Sequence, residues 1–121
     1  MNRVVDAFPA DQHKQIHTQL GFVLEGVVSQ RLIPKARGGG RAMVSELLVC
    51  TPAVRAIIRE GKTHQLYSLM QAGQKFGMQT MNQSLLQAVV DRHITADQAM
   101  ENSTEAAEME QMLQRVGLRA A

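Results

Sequence analysis

Residues 26–49 read Gly26-Val27-Val28-Ser29-Gln30-Arg31-Leu32-Ile33-Pro34-Lys35-Ala36-Arg37-Gly38-Gly39-Gly40-Arg41-Ala42-Met43-Val44-Ser45-Glu46-Leu47-Leu48-Val49, and this stretch decides the fold class. Val27–Ile33 and Ala42–Val49 are both rich in aliphatic and β-branched residues and alternate loosely. The Pro34–Arg41 segment between them is basic and glycine-rich. Two such runs around a polar turn predict a β-hairpin. A lone hairpin is marginal in water, so this one must join a sheet or pack on helices. No other segment supplies convincing strands. The expected fold is therefore α/β but mainly helical, with a hairpin whose sheet partners this sequence does not supply.

Helices are predicted on both sides of the hairpin. Ahead of it, Ile16, Leu20, Val23 and Leu24 make one apolar stripe over about residues 10–24, and Pro9 suits its first turn. After it, Thr51-Pro52 reads as an N-cap with proline at the first position, opening a helix that runs to Glu60 and stops at Gly61. A short helix follows over His64–Ala72, capped by Thr63 and stopped by Gly73. Met81, Leu85, Leu86, Val89 and Val90 stripe a helix over about 79–92. Thr95-Ala96-Asp97-Gln98 is a capping box for a fourth helix. Met109, Met112, Leu113 and Val116 stripe the last, over about 104–116, and the Arg119-Ala120-Ala121 tail is expected to fray.

Composition narrows the function classes. The 121 residues suit a single domain, and 45% apolar content suffices for a core. No apolar run is long enough to span a membrane, and the Asp6-containing N-terminus does not read as a signal peptide, so the expected compartment is the cytoplasm. One cysteine, Cys50, leaves no internal disulfide and no multi-cysteine zinc site. It reads as a small buried hydrophobe. A net charge of +2 with three Phe, one Tyr and no Trp gives no footprint for nucleic acid.

Two motif matches lack their context. Ala56-Ile57-Ile58-Arg59-Glu60-Gly61-Lys62-Thr63 has the spacing of a Walker A loop, but such a loop needs a strand before it and flexible glycines within it. Here a capped helix precedes Gly61, so the expected role is a helix C-cap. His13 and His17 have a zinc-compatible spacing, but with no third ligand they read as a solvent-facing pair. The densest polar cluster is Arg55, Arg59, Glu60, Gly61, Lys62, Thr63, His64 and Gln65. It follows a two-turn helix that carries Val54, Ile57 and Ile58 on one side and Arg55 and Arg59 on the other. Such a helix can seat its apolar side and offer two guanidinium groups to a partner.

At these residues the chain resembles the PilT family of type IV pilus retraction ATPases, within the secretion ATPase superfamily. Ala53-Val54-Arg55-Ala56-Ile57-Ile58-Arg59-Glu60-Gly61-Lys62-Thr63-His64-Gln65 is similar to that family's A-I-R-N-L-I-R-E-G-K-T-H-Q segment. Arg3–Pro9, Gly26–Pro34 and Gly77–Leu85 resemble further family segments, in order, over about residues 3–101. Val54, Ala56 and Ile57 stand where the family has Ile, Asn and Leu. The family's Walker A loop, acidic Walker B segment and Asp and His boxes all lie upstream of the part that aligns here.

The resemblance implies a C-terminal portion of a hexameric motor. Residues 1–50 would be the C-terminal end of a RecA-like ATPase core, with the hairpin as its last strands. Residues 51–121 would be a C-terminal helical subdomain carrying the AIRNLIRE-like motif. The function implied is subunit packing and coupling of ATP hydrolysis to pilus retraction, which underlies twitching motility. The implied partners are neighbouring subunits of the ring and an inner-membrane platform component of the pilus machine, with no nucleic acid and no membrane span. The location would be cytoplasmic, peripheral to the inner membrane. ATP and Mg²⁺ would belong to the full-length parent, with no cofactor and no catalytic or metal residues in this chain, which is expected to be inactive alone. Arg55, Arg59 and Glu60 are the expected functional polar groups, with Val54, Ile57 and Ile58 seating the helix and Ala53 opening the motif. Gly61, Lys62, Thr63, His64 and Gln65 are secondary candidates. Two other expectations stand beside this one: a free-standing regulatory or adaptor module that binds full-length rings, and a small nucleotide-binding protein using Gly61-Lys62-Thr63.

Overall fold

A computed structural model of the chain describes residues 2–118. Among these residues it forms seven α-helices and one two-stranded sheet, so the mainly helical α/β expectation holds. The expected tail of residues 119–121 lies outside the described part. Strand β1 spans Gly26–Pro34 and β2 spans Arg41–Val49. The amide of Lys35 donates to the carbonyl of Gly40 at 3.1 Å, and that of Cys50 to Glu25 at 2.9 Å. Both bonds give the same antiparallel register. It sets Ile33 opposite Ala42 on one face and Leu32 opposite Met43 on the other.

The backbone groups into two compact units that divide the hairpin between them. The first holds the described residues up to Val27, together with Leu47–Met78. It opens with α1, Asn2–Asp6, a helix of five residues that is too short to show a period in sequence. A single 3₁₀ turn at Ala10–Gln12, preceded by Pro9, leads into α2, His13–Val23. Then come α3, Pro52–Arg59, and α4, Leu66–Ala72. Leu48, Cys50, Val54, Ile58, Leu66, Met70 and Met78 form the core of this unit, joined at its edge by Leu20, Leu24, Val27, Ile57 and Leu69. Thr63 does not cap α4 as expected. A 3₁₀ turn at Thr63–Gln65 intervenes, and α4 starts at Leu66 with no side-chain cap.

The second unit holds Val28–Glu46 and the described residues from Gln79 on. Its helices are α5, Met81–Val90; α6, Ala96–Asn102; and α7, Ala106–Arg115. The inner hairpin face, Ile33, Ala42 and Val44, packs with Met81, Leu85, Val89, Ile94, Ala99, Met109 and Leu113. Polar bonds fix the docking. Gln79 Nε2 donates to the Ser45 carbonyl and hydroxyl at 2.9 and 3.0 Å, and the Ser45 amide donates to Ser84 Oγ at 3.0 Å. Gln98 closes the expected capping box with Thr95, and its Nε2 also reaches the Pro34 carbonyl at 2.8 Å. A second capping box, Thr80 with Gln83, opens α5. The buried Asn82 amide donates to the Glu105 carbonyl at 3.0 Å and to Glu108 Oε1 at 3.1 Å, and its oxygen accepts from Ser103 Oγ at 2.6 Å.

Helix α5 ends at Val90, the last residue of its apolar stripe and two residues before the predicted end. Arg92 takes φ 63°, its amide donates to Val89 at 3.0 Å and the His93 amide to Ala88 at 2.9 Å. This is a Schellman cap with a non-glycine residue in the left-handed position. The exposed Arg92 side chain makes no use of that geometry. Arg92→Gly should therefore stabilise the protein by about 0.5–1 kcal/mol, because glycine removes the left-handed strain at the cost of some unfolded-chain entropy. Urea unfolding with an unchanged slope and a higher midpoint would show it.

Candidate functional site

The site is built on α3. The Thr51 hydroxyl accepts from the Val54 amide at 3.4 Å, and Pro52 occupies the first turn, where no donor is needed. Val54 and Ile58, one turn apart, are fully buried, and Ile57 is half-buried beside them. This is the seating expected of the apolar side. At the other end Gly61 has φ 72°. Its amide donates to the Ile58 carbonyl and that of Lys62 to the Ile57 carbonyl, both at 3.1 Å. The pair is a Schellman cap. Gly61-Lys62-Thr63 therefore terminates a helix, and the first two of its amides are spent on that helix.

The arginines face an unexpected neighbour. Arg55 Nη1 donates to the carbonyls of Gly21 and Phe22, each at 3.3 Å. It thus supplies a cation to the last carbonyls of α2, where the helix dipole favours one. The Arg59 guanidinium lies 5.2 Å from the centroid of the Phe22 ring, a cation–π contact. Both guanidinium groups therefore clasp the last turn of α2. Sequence reading had them offered outward, and it missed Gly21 and Phe22. The available signal was a glycine inside an otherwise apolar helix, which often marks a close approach. That is its role here. A Cβ at Gly21 would run into Arg59 Cγ and lie 3.1 Å from the Arg55 carbonyl oxygen.

The remaining candidates sit at the end of α3 and beyond. Ala53, Glu60, Lys62, His64 and Gln65 are exposed; Gly61 and Thr63 are half-buried. Glu60 and Lys62 pair at 3.5 Å with both side chains more than half exposed, so the pair adds little stability. His17 of α2 lies against Gly61, with its ring 3.4 Å from where a Cβ would stand. His13 bonds the Phe8 carbonyl through Nε2 at 2.8 Å. The two histidines are thus half-buried and engaged, where a solvent-facing pair was expected. Among the described residues no group of three His, Cys, Asp or Glu side chains is placed to hold a metal ion. No described helix is long and apolar enough to cross a membrane. Cys50 is buried as expected. Burial pushes its thiol pKa up, Arg55 pulls it down and Glu25 adds to the rise.

Comparison with known proteins places this geometry. No protein-family model matches the chain. The chain is 41% identical over 103 residues to the type IV pilus retraction ATPase PilT of Pseudomonas aeruginosa, covering 85% of this chain and 30% of that protein. It is 42% identical over 99 residues to a twitching motility protein of Neisseria gonorrhoeae, covering 82% of this chain and 26% of that one. A crystal structure of the pilus retraction motor PilT with bound ADP matches with a TM-score of 0.79 and 45% identity, over 91% of this chain and 30% of that one. The chain spans less than a third of the length of these relatives. Its fold is that of the C-terminal part of a pilus motor ATPase. The chain belongs to the PilT family of type IV pilus retraction ATPases, as a C-terminal portion.

Two outcomes follow from this geometry. Gly21→Ala should destabilise the protein by about 1–3 kcal/mol despite alanine's better helix propensity, because α2 and α3 must separate; urea unfolding reads it directly. Cys50 should react with a thiol reagent slowly in the folded protein and fast in denaturant, since burial hides it and keeps it protonated. By the same shift, the native state should lose stability as pH rises through the ordinary thiol range, because the folded state holds the proton longer than the unfolded state.

Proposed function

We propose that this chain is the coupling end of a hexameric motor that drives type IV pilus retraction, and hence twitching motility. On this reading residues 1–50 complete a RecA-like ATPase core and residues 51–121 form the helical subdomain. That division is by role in the parent, whereas packing groups the residues as described above. ATP and Mg²⁺ act in the parent, and this chain alone binds no nucleotide and hydrolyses none. Its partners are neighbouring subunits of the ring and an inner-membrane platform component, which puts it in the cytoplasm at the membrane periphery.

The observation that carries the reading is the clasp of α2 by Arg55 and Arg59 across Gly21. Val54 and Ile58 anchor α3 in an apolar cluster, and the arginines fasten α2 to it. A displacement of α2 is then passed to α3 and to the exposed groups that follow, Glu60, Lys62, His64 and Gln65, which meet a partner. The sequence likeness of Ala53–Gln65 to the retraction family supports this assignment.

Two measurements test it. Calorimetric titration of this chain with Mg²⁺–ATP should give no heat of binding. A micromolar constant, on the order of −8 kcal/mol, would put a nucleotide site in this chain and end the reading. In the PilT of P. aeruginosa, with its matching segment replaced by this chain, Arg55→Ala with Arg59→Ala should leave ATP hydrolysis in place and abolish twitching. Equal loss of both would assign the arginines to catalysis or folding instead.

A further inference from the structure

Helix α6 is tied to the hairpin at both ends. Gln98, in its first turn, reaches the Pro34 carbonyl at 2.8 Å, and Arg31 Nη1 donates to the carbonyl of Asn102, its last residue, at 2.9 Å. Asn102 Nδ2 donates to the Gln98 carbonyl at 2.8 Å, which links the two ties. Because Gln98 meets Pro34 and Asn102 meets Arg31, α6 runs antiparallel along β1. By strand alternation Arg31 shares its face with Ile33, which is buried against the helices. The tie therefore lies on the inner side of the hairpin and holds whatever covers the other side.

The end of α6 has need of it. A helix of seven residues is not stable by itself, and the residue it buries is only an alanine, Ala99. Ser103 leaves the helix in an extended conformation, and its amide meets the Met100 carbonyl at 3.4 Å. The last carbonyls of such a helix favour a cation, and Arg31 supplies one. Just beyond, the Ser103 hydroxyl donates to Asn82 Oδ1 and Asn82 Nδ2 to the Glu105 carbonyl, so α5 grips the link between α6 and α7. Arg31 is the hairpin's grip on the near end of that link. It does in the second unit what Arg55 does in the first, placing a guanidinium on the last turn of a helix distant in sequence.

We propose that Arg31 is a positioning residue for coupling, which makes α6 and the α6–α7 link follow β1. A displacement of the hairpin is then passed to the helices of its own unit. Apolar packing resists separation but lets packed elements slide, whereas a directed bond to one carbonyl fixes the position of α6 along β1. The inference rests on the motor reading, in which the hairpin ends the sheet of the ATPase core.

Hydrogen exchange of this chain tests the tie. Arg31→Gln should speed exchange of the Met100–Ser103 amides by about fivefold, the effect of losing one exposed hydrogen bond, and leave the amides of α3 unchanged. Arg31→Lys, which keeps a cation at the helix end, should restore part of the protection. Twitching tests the coupling, in the PilT of P. aeruginosa with its matching segment replaced by this chain. There Arg31→Gln should keep ATP hydrolysis and lower twitching severalfold, and Arg31→Lys should recover part of the loss. Unchanged exchange in Arg31→Gln would overturn the tie. Full twitching, or an equal fall in twitching and hydrolysis, would overturn the coupling role. The Arg55→Ala, Arg59→Ala pair separates this inference from the motor reading. If that pair abolishes twitching while Arg31→Gln leaves it whole, this inference alone falls; if both leave it whole, the motor reading falls too.

Discussion

The register of one hairpin is the constraint on which both compact units depend. Its pairing is the same where Lys35 meets Gly40 and where Glu25 meets Cys50. Because side chains alternate with a period of two, that register sends Ile33, Ala42 and Val44 into one apolar cluster. It also sends Leu48 into the other. A slip of β2 by one residue would turn Ala42, Val44 and Leu48 to solvent and bring Met43 inward. The polar bonds of Gln79, Ser84 and Gln98 to Ser45 and Pro34 act against such a slip, since they read backbone positions that only one register offers.

Much of the helical pattern was legible because the signals are local. Thr51-Pro52 and Thr95–Gln98 encode their helix starts within four residues, and Gly61 encodes one of the ends. What was not legible followed from geometry without a residue signature. Arg92 ends α5 in a left-handed conformation that sequence reading reserves for glycine, so the helix was drawn two residues too long. Thr63 looked like a cap, yet the chain there takes a 3₁₀ turn before α4. Helix α1 has too few residues for a period, and Val5 is buried among its exposed neighbours Arg3, Val4 and Asp6.

At the candidate site the sequence carried the apolar seat but not the polar destination. Val54 and Ile58 had to be inside, because their spacing leaves no other face for burial. Arg55 and Arg59 share a face too, but periodicity cannot say whether that face meets water or another helix. Their destination depends on Gly21, more than thirty residues earlier, where the missing Cβ lets α2 come close. Once the helices are that close, the unsatisfied carbonyls of Gly21 and Phe22 attract a cation, and the Phe22 ring offers its face to the next one. An arginine suits this better than a lysine, since one guanidinium can reach two carbonyls at once.

The same contrast separates a phosphate-loop spacing from the geometry such a loop needs. A phosphate cradle and a Schellman cap both want glycine at a left-handed turn followed by donors, so Gly-Lys-Thr fits either. The difference lies in where the amides point. Here the amides of Gly61 and Lys62 close on Ile58 and Ile57 behind them. That direction is set by a helix whose burial holds it in place. To free those amides for an anion, the last turn of α3 would have to unwind, taking Ile58 out of a site where it is fully buried. The full burial of one isoleucine is worth about 1.5–3 kcal/mol, and the two cap bonds would be lost as well. Freeing the amides would thus cost a few kcal/mol, and Lys62 stands exposed beside Glu60.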